Sequence, residues 1–233
     1  MDETAKLRIA MVLFPRLTQL DLTGPYEVLA RMPETQVDLV HHDLDPVVTD
    51  RGLVLTPTAT FDSYGSPDIL FVPGGPGQLA AMRDRALINF LRRAGEKAQY
   101  ITSVCTGSLL LGAAGLLAGR RATTHWSVHE QLALLGAKPV KERVVVDGNV
   151  VTGAGVSAGL DFALALAAEL HGPEVAERIQ LQIEYDPAPP FRSGSPEKAR
   201  PETLAALREA AAKLTAERAK VAGAIGRRLG LSG

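Results

Sequence analysis

Tyr100–Leu117, YITSVCTGSLLLGAAGLL, passes from a β-branched apolar run to a leucine-rich one across the small residues Thr106-Gly107-Ser108. Tyr100–Val104 reads as a buried strand, and Leu109–Leu117 as a helix ending near Gly119. Cys105 stands between them. A side chain at such a junction is held on a sharp turn at the carboxyl edge of a sheet, facing a helix N-terminus. The same pattern recurs outward from this stretch. Asp68–Val72 (DILFV) is a buried strand that stops in Pro73-Gly74-Gly75-Pro76-Gly77, and Lys6–Phe14 (KLRIAMVLF) is a first strand closed by Pro15. Gln36–Val40 alternates like a strand, and Asp45–Phe61 holds turn residues at intervals that suit short strands or a hairpin. Helical spacing appears in Asp84–Lys97 through Leu87, Ile88 and Leu91. A helix starting at Thr23-Gly24-Pro25 is expected after the first strand. Val144–Val151 reads as a hairpin turning at Asp147-Gly148, and Ala158–Leu170 as an apolar helix after the loop Gly153–Val156. Apolar strands alternating with helices predict an α/β sandwich with a mostly parallel central sheet, whose ligands bind beyond the strands' carboxyl ends.

The 233 residues suffice for one large domain with a full core. We divide the chain into an α/β domain, 1–196, and a C-terminal helix, 197–233. Asp186–Pro201 is rich in Pro, Ser and Gly, and Glu202–Leu231 is Ala-rich and helical. Leu204, Leu207, Leu214, Val221 and Ile225 put an apolar stripe on that helix. The Pro-rich stretch before it is expected to carry the helix onto the partner subunit of a homodimer, since a two-fold dimer is the commonest soluble assembly. Net charge is −1. That balance excludes a basic nucleic-acid footprint, and the scattered charges of the tail read as a solvated face. No apolar run is long enough to span a membrane, and the polar Met1-Asp2-Glu3-Thr4 start lacks a signal-peptide pattern. With one cysteine there is neither a disulfide framework nor a Cys-rich metal site, and we expect a cytoplasmic protein with no metal and no cofactor.

Cys105 is the first candidate for chemistry, because the free N–H groups of a following helix stabilise a thiolate. A low-pKa thiol is therefore expected. Asp21, between Leu20 and Leu22 in the loop after the first strand, should face the same edge. A carboxyl beside a thiolate has its pKa raised, so the two hold one proton between them. Gly74 and Gly75 let the backbone approach a ligand and offer amides to developing negative charge. His125 follows Cys105 by 20 residues, beside Trp126, and is a candidate base or a structural histidine. Val156, in the loop before the apolar helix, is a further accessory candidate.

The segments FPRLTQLDLTGP, FVPGGPG, TSVCTGSLLLGAAGLLAGRRATTHW and QLQIEYDPAPPF resemble the ThiJ/PfpI superfamily, from about Ile9 to Phe191. Within it the chain is most similar to the isocyanide hydratases. The resemblance implies a flavodoxin-like three-layer sandwich with Cys105 as nucleophile on an elbow and Asp21 as its acid partner. It places Thr106 beside the nucleophile and Gly74 and Gly75 at the thiolate side of the pocket. It implies hydration of an isocyanide, R–N≡C, to an N-substituted formamide, with no cofactor. It also suggests a homodimer. The deglycase-like members carry Glu where this chain has Asp21, and the protease-like members follow Cys with His where this chain has Thr106. The alternatives are a glyoxalase or deglycase-like enzyme using Cys105 and His125, and a non-catalytic redox or ligand sensor.

Overall fold

A computed structural model describes residues 6–231. The first strand, β1 (Leu7–Val12), is fully apolar from Ile9 onward and buried there. It pairs in parallel with β2 (Thr35–His41) on one side and β6 (Ile69–Val72) on the other. β6 pairs with β7 (Tyr100–Val104), which pairs with β11 (Val150–Gly153). The short β5 (Ala59–Thr60) extends one edge beside β2. At the other edge β10 (Val144–Asp147) meets β11 across the Asp147-Gly148 turn, giving the sheet its one antiparallel pair. The order is β10-β11-β7-β6-β1-β2-β5. Two short strands between β2 and β5, β3 (Val47–Val48) and β4 (Val54–Leu55), form a separate hairpin. Another pair, β8 (Arg121–Ala122) and β9 (Lys138–Pro139), stands apart as well.

Strands buried on both faces need helices on both faces. On one side lie α1 (Gln19–Leu29), α6 (Ala158–His171) and α7 (Pro173–Gln182). On the other lie α2 (Gln78–Ala81), α3 (Arg85–Gly95), α4 (Gly107–Ala113), α5 (Gln131–Leu134) and the long α8 (Pro201–Arg228). The three-layer α/β sandwich expected from the sequence is the observed architecture. None of the described helices is long and apolar enough to cross a membrane.

Two expectations change. Helix α1 begins four residues earlier than the Thr23-Gly24-Pro25 signal suggests, after the extended Thr18, so Asp21 lies in a helix rather than a loop. Pro25 sits inside the helix, where it leaves only the Asp21 carbonyl without an i+4 donor. Its ring occupies the space opposite Gly159, where a Cβ would come 2.9 Å from Pro25 Cδ. The Gly24-Pro25 pair thus sets how closely α1 packs on α6. The second change concerns α8. Its C-terminal half is not carried away: Arg218, Ala222, Gly223, Ile225 and Gly226 are buried on α2, α4 and α5 of the same chain. Small residues let the backbones approach there. Its first half remains open, with Leu207 54% exposed.

Two glycines three residues apart test this docking. A Cβ at Gly226 would lie 1.9 Å from the Leu134 carbonyl oxygen, whereas at Gly223 its nearest neighbour is Arg227 Nη1 at 3.5 Å. G223A should stabilise the protein by about 0.5–1 kcal/mol through helix propensity. G226A should destabilise it by about 1–3 kcal/mol despite the same propensity gain. Denaturant unfolding of both variants checks the contrast, and equal effects would refute close docking of the last turns.

Candidate active site

The four adjacent parallel strands β11, β7, β6 and β1 point their carboxyl ends to one edge. The chain segments that follow them converge there. Cys105 leaves β7 with φ +57, a left-handed conformation that costs a non-glycine residue of order 1 kcal/mol. The neighbours fix it. Its N–H donates to the carbonyls of Ala154 (2.7 Å) and Gly153 (3.1 Å). Its carbonyl accepts from Thr124 Oγ1 at 2.8 Å and Ser108 Oγ at 3.2 Å. The residue is 5% exposed, and the backbone amide of Thr106 favours its ionised sulfur.

Asp21 is fully buried on α1. Its Oδ2 accepts from the Gly74 N–H at 3.0 Å, its Oδ1 is buried without a partner, and the Cys105 thiol is close enough for the two groups to shift each other's ionisation. Burial pushes Asp21 up to about 7, against the opposing thiol and Gly74 hydrogen bonds and with a further push from Asp50. Burial also pushes the Cys105 thiol up, and the Asp21 charge adds to this; the Thr106 N–H and the Arg218 charge oppose it. The expectation of a low-pKa thiol is therefore corrected. The helix N-terminus is present, but removing sulfur from water and setting it beside a carboxyl outweighs it. The two groups share protons as a pair.

Gly74 and Gly75 are close-approach positions. A Cβ at Gly74 would lie 2.4 Å from the Thr106 nitrogen and 2.8 Å from Asp21 Oδ2. Gly75, at φ +134, would strike the Thr18 nitrogen at 2.4 Å. The Gly75 N–H donates to Thr106 Oγ1 at 2.9 Å, and that hydroxyl donates back to the Gly75 carbonyl at 3.3 Å. Cys105, Asp21, Gly74, Gly75 and Thr106 are thus brought together. His125 is not joined to the thiol. Its Nδ1 lies 2.8 Å from Ser127 Oγ, its ring packs on Gly155, and burial with the Arg218 charge lowers it to about 4. It is neutral near pH 7. Trp126 stacks obliquely on it at 5.4 Å, and both line an open groove with Leu20, Val156 and Leu160. The sequence reading missed Thr124, the Gly153 and Ala154 carbonyls, and Arg218. Only Arg218 left a signal: it interrupts the apolar stripe of α8 between Leu214 and Val221. Among the described residues no cluster of His, Cys, Asp and Glu is arranged to hold a metal.

Comparison with known proteins places the chain in a family. Residues 7–169 match the DJ-1/PfpI family. The chain is 57% identical over 193 residues to the isonitrile hydratase of Pseudomonas putida, covering 83% of this chain and 85% of that one. It is 30% identical over 182 residues to protein DJ-1alpha of Drosophila melanogaster, covering 76% and 83%. A crystal structure of a ThiJ/PfpI family protein from Pseudomonas syringae superposes with a TM-score of 0.92 at 46% identity, over 94% of this chain and 91% of that one.

The buried carboxyl carries a signature in stability. Asp21 keeps its proton up to about 7 when folded but loses it at about 3.9 when unfolded. Its contribution is fully present below about pH 4 and is lost as pH rises through about 7. D21N keeps an oxygen for the Gly74 N–H and carries no charge. At pH 8 it should melt higher than the parent protein by on the order of 5 °C, and the difference should vanish near pH 4. Thermal scans across that range check it, and an equal or lower melting temperature at pH 8 would count against the burial of this charge.

Proposed function

The chain belongs to the DJ-1/PfpI family, and from that premise we propose that it is an isocyanide hydratase, converting R–N≡C and water to R–NH–CHO. The observation that carries this reading is the burial of the Asp21 carboxyl beside the Cys105 thiol, close enough for each to shift the other's ionisation. The 57% identity to an isonitrile hydratase over most of both chains supports it. The terminal carbon of an isocyanide accepts a nucleophile and a proton at one atom. A soft sulfur and an acid facing the same point meet that demand.

In this reading the one-proton state of the pair reacts as thiolate and carboxylic acid. The sulfur bonds to the terminal carbon while Asp21 gives that carbon its proton, forming the thioimidate R–N=CH–S–Cys105. Asp21, now a carboxylate, takes a proton from water as the oxygen bonds to the same carbon, and the nitrogen receives that proton. The tetrahedral adduct expels the thiolate, its hydroxyl proton returns to Asp21, and the formamide leaves. Thr106 and Gly75 brace the sulfur's surroundings, and the Gly74 N–H orients the acid. Leu20, Val156 and Leu160 suit an apolar R group. His125 has no step here, and neither metal nor cofactor takes part. A reducing compartment such as the cytoplasm keeps the single thiol competent.

The assembly belongs to the same proposal. Arg208 and Ala211 of the first half of α8 line an open groove with Phe191, which is 79% exposed, and Leu207 on the same half is 54% exposed. We read this face as the seat of a second copy. Light scattering at micromolar concentration should give twice the chain mass of 24.7 kDa; a mass near one chain would defeat the reading.

Incubation with an alkyl isocyanide, followed by mass spectrometry for the formamide, tests the reaction. C105A should be inactive and C105S nearly so, with folding intact. D21N should lose on the order of 100-fold or more. The acid limb of kcat/KM should lie near pH 7, activity rising as the pair gives up the first of its two protons. Near-normal formamide production by C105A would refute the mechanism, and methylglyoxal turnover in its place would favour a glyoxalase.

A further inference from the structure

Arg218 is a buried cation that this chemistry leaves unused. It is 6% exposed, on the part of α8 that rests against α2, α4, α5 and the turn Trp126–Val128. One guanidinium nitrogen, Nη2, donates to the Gly75 carbonyl at 3.1 Å. Its Nε is buried with no partner. Among the described residues no carboxylate lies within 4.0 Å of it. Burying a guanidinium without a counter-ion is strongly unfavourable, and a fold that does so gains something from the charge.

The contacts say what the charge faces. The Gly75 carbonyl that Arg218 holds also accepts from Thr106 Oγ1. Thr106 directly follows Cys105 in the chain, and its backbone amide favours the ionised sulfur. Two titratable groups feel the guanidinium: Cys105, whose ionised form it favours, and His125, whose protonated form it disfavours. Asp21, from α1, reaches Cys105 from its own side. The acid whose charge bears on Arg218 is the thiol itself.

We propose that Arg218 is a positioning residue for the nucleophile: it pins the Gly75 carbonyl, and through it Thr106, and supplies the positive charge that a thiolate at Cys105 requires. The last helix of the chain is then part of the active site, and the cation missing from the Asp21–Cys105 pair comes from the far end of the sequence. This assignment holds whatever substrate meets the thiol.

The test reads two groups at once. In R218M the midpoint of Cys105 ionisation, followed by ultraviolet thiolate absorbance and by the pH dependence of iodoacetamide alkylation, should rise by about one pH unit. The His125 midpoint, followed by NMR of the imidazole, should rise too, because the same cation is gone. R218K keeps a positive charge and should hold both midpoints near those of the parent protein. A folded R218M with both midpoints unmoved overturns the proposal, and so does an R218K that shifts as far as R218M. Should R218M fail to fold, R218Q still offers a donor to the Gly75 carbonyl; unmoved midpoints there overturn it equally. Neither readout needs turnover, so failure of the isocyanide reaction and failure of this assignment are separable.

Discussion

Cys105 sits in a backbone conformation that only its surroundings make tenable. Its φ of +57 is held by bonds from both sides of the peptide: the N–H to the loop after β11, the carbonyl to Thr124 and Ser108. Gly153 ends β11 and Ser108 belongs to α4, while Ala154 and Thr124 lie in the segments that follow β11 and β8. Two other contacts refer to the same residue. The Thr106 amide that favours the ionised sulfur belongs to the next residue of the elbow, and the Gly75 N–H bonds to the Thr106 hydroxyl. The glycines at 74 and 75 follow from it, since side chains there would collide with the elbow and with α1.

The electrostatics of the site run against stability. A carboxyl and a thiol removed from water both resist ionisation; the Asp21 charge raises the thiol further, while the thiol pulls the carboxyl back down. The surrounding core tolerates this because it is large and well packed: Phe71 and Phe162 meet at 5.7 Å near the sheet's centre, and β1 and β6 are buried along most of their length. Proton sharing is the reason to keep such a pair. An acid that holds its proton to about pH 7 beside a sulfur that can surrender one is matched to adding a nucleophile and a proton to a single carbon. A fully charged or fully neutral pair would lack one of the two.

The role of the C-terminal helix differs from its sequence appearance. Its composition is that of a solvated, Ala-rich segment, yet its second half closes over α4 and α5 and brings Arg218 to the Gly75 carbonyl. Gly226 permits the contact with Leu134 that sets this depth. One helix thus divides its length between two surfaces, a buried one that completes the site and an open one beside the groove.

The sequence by itself determined the layered α/β architecture, because strands buried on both faces must be continuously apolar and the helices between them must carry spaced leucines. It also determined the elbow: a cysteine between the run 100–104 and three small residues has no other place in such a fold. Asp21 was legible as a candidate partner, but its setting was not, since Pro25 marks a helix start in most sequences and here lies inside α1 against Gly159. The tertiary structure alone decided the protonation of the site. Helix N-termini argue for an acidic thiol, whereas the depth of burial and the facing carboxyl argue the reverse, and depth is a property of how layers close rather than of local sequence. It alone decided Arg218 as well. An arginine in an apolar stripe is visible in the sequence, but which carbonyl and which thiol it meets depends on contacts between residues more than a hundred positions apart.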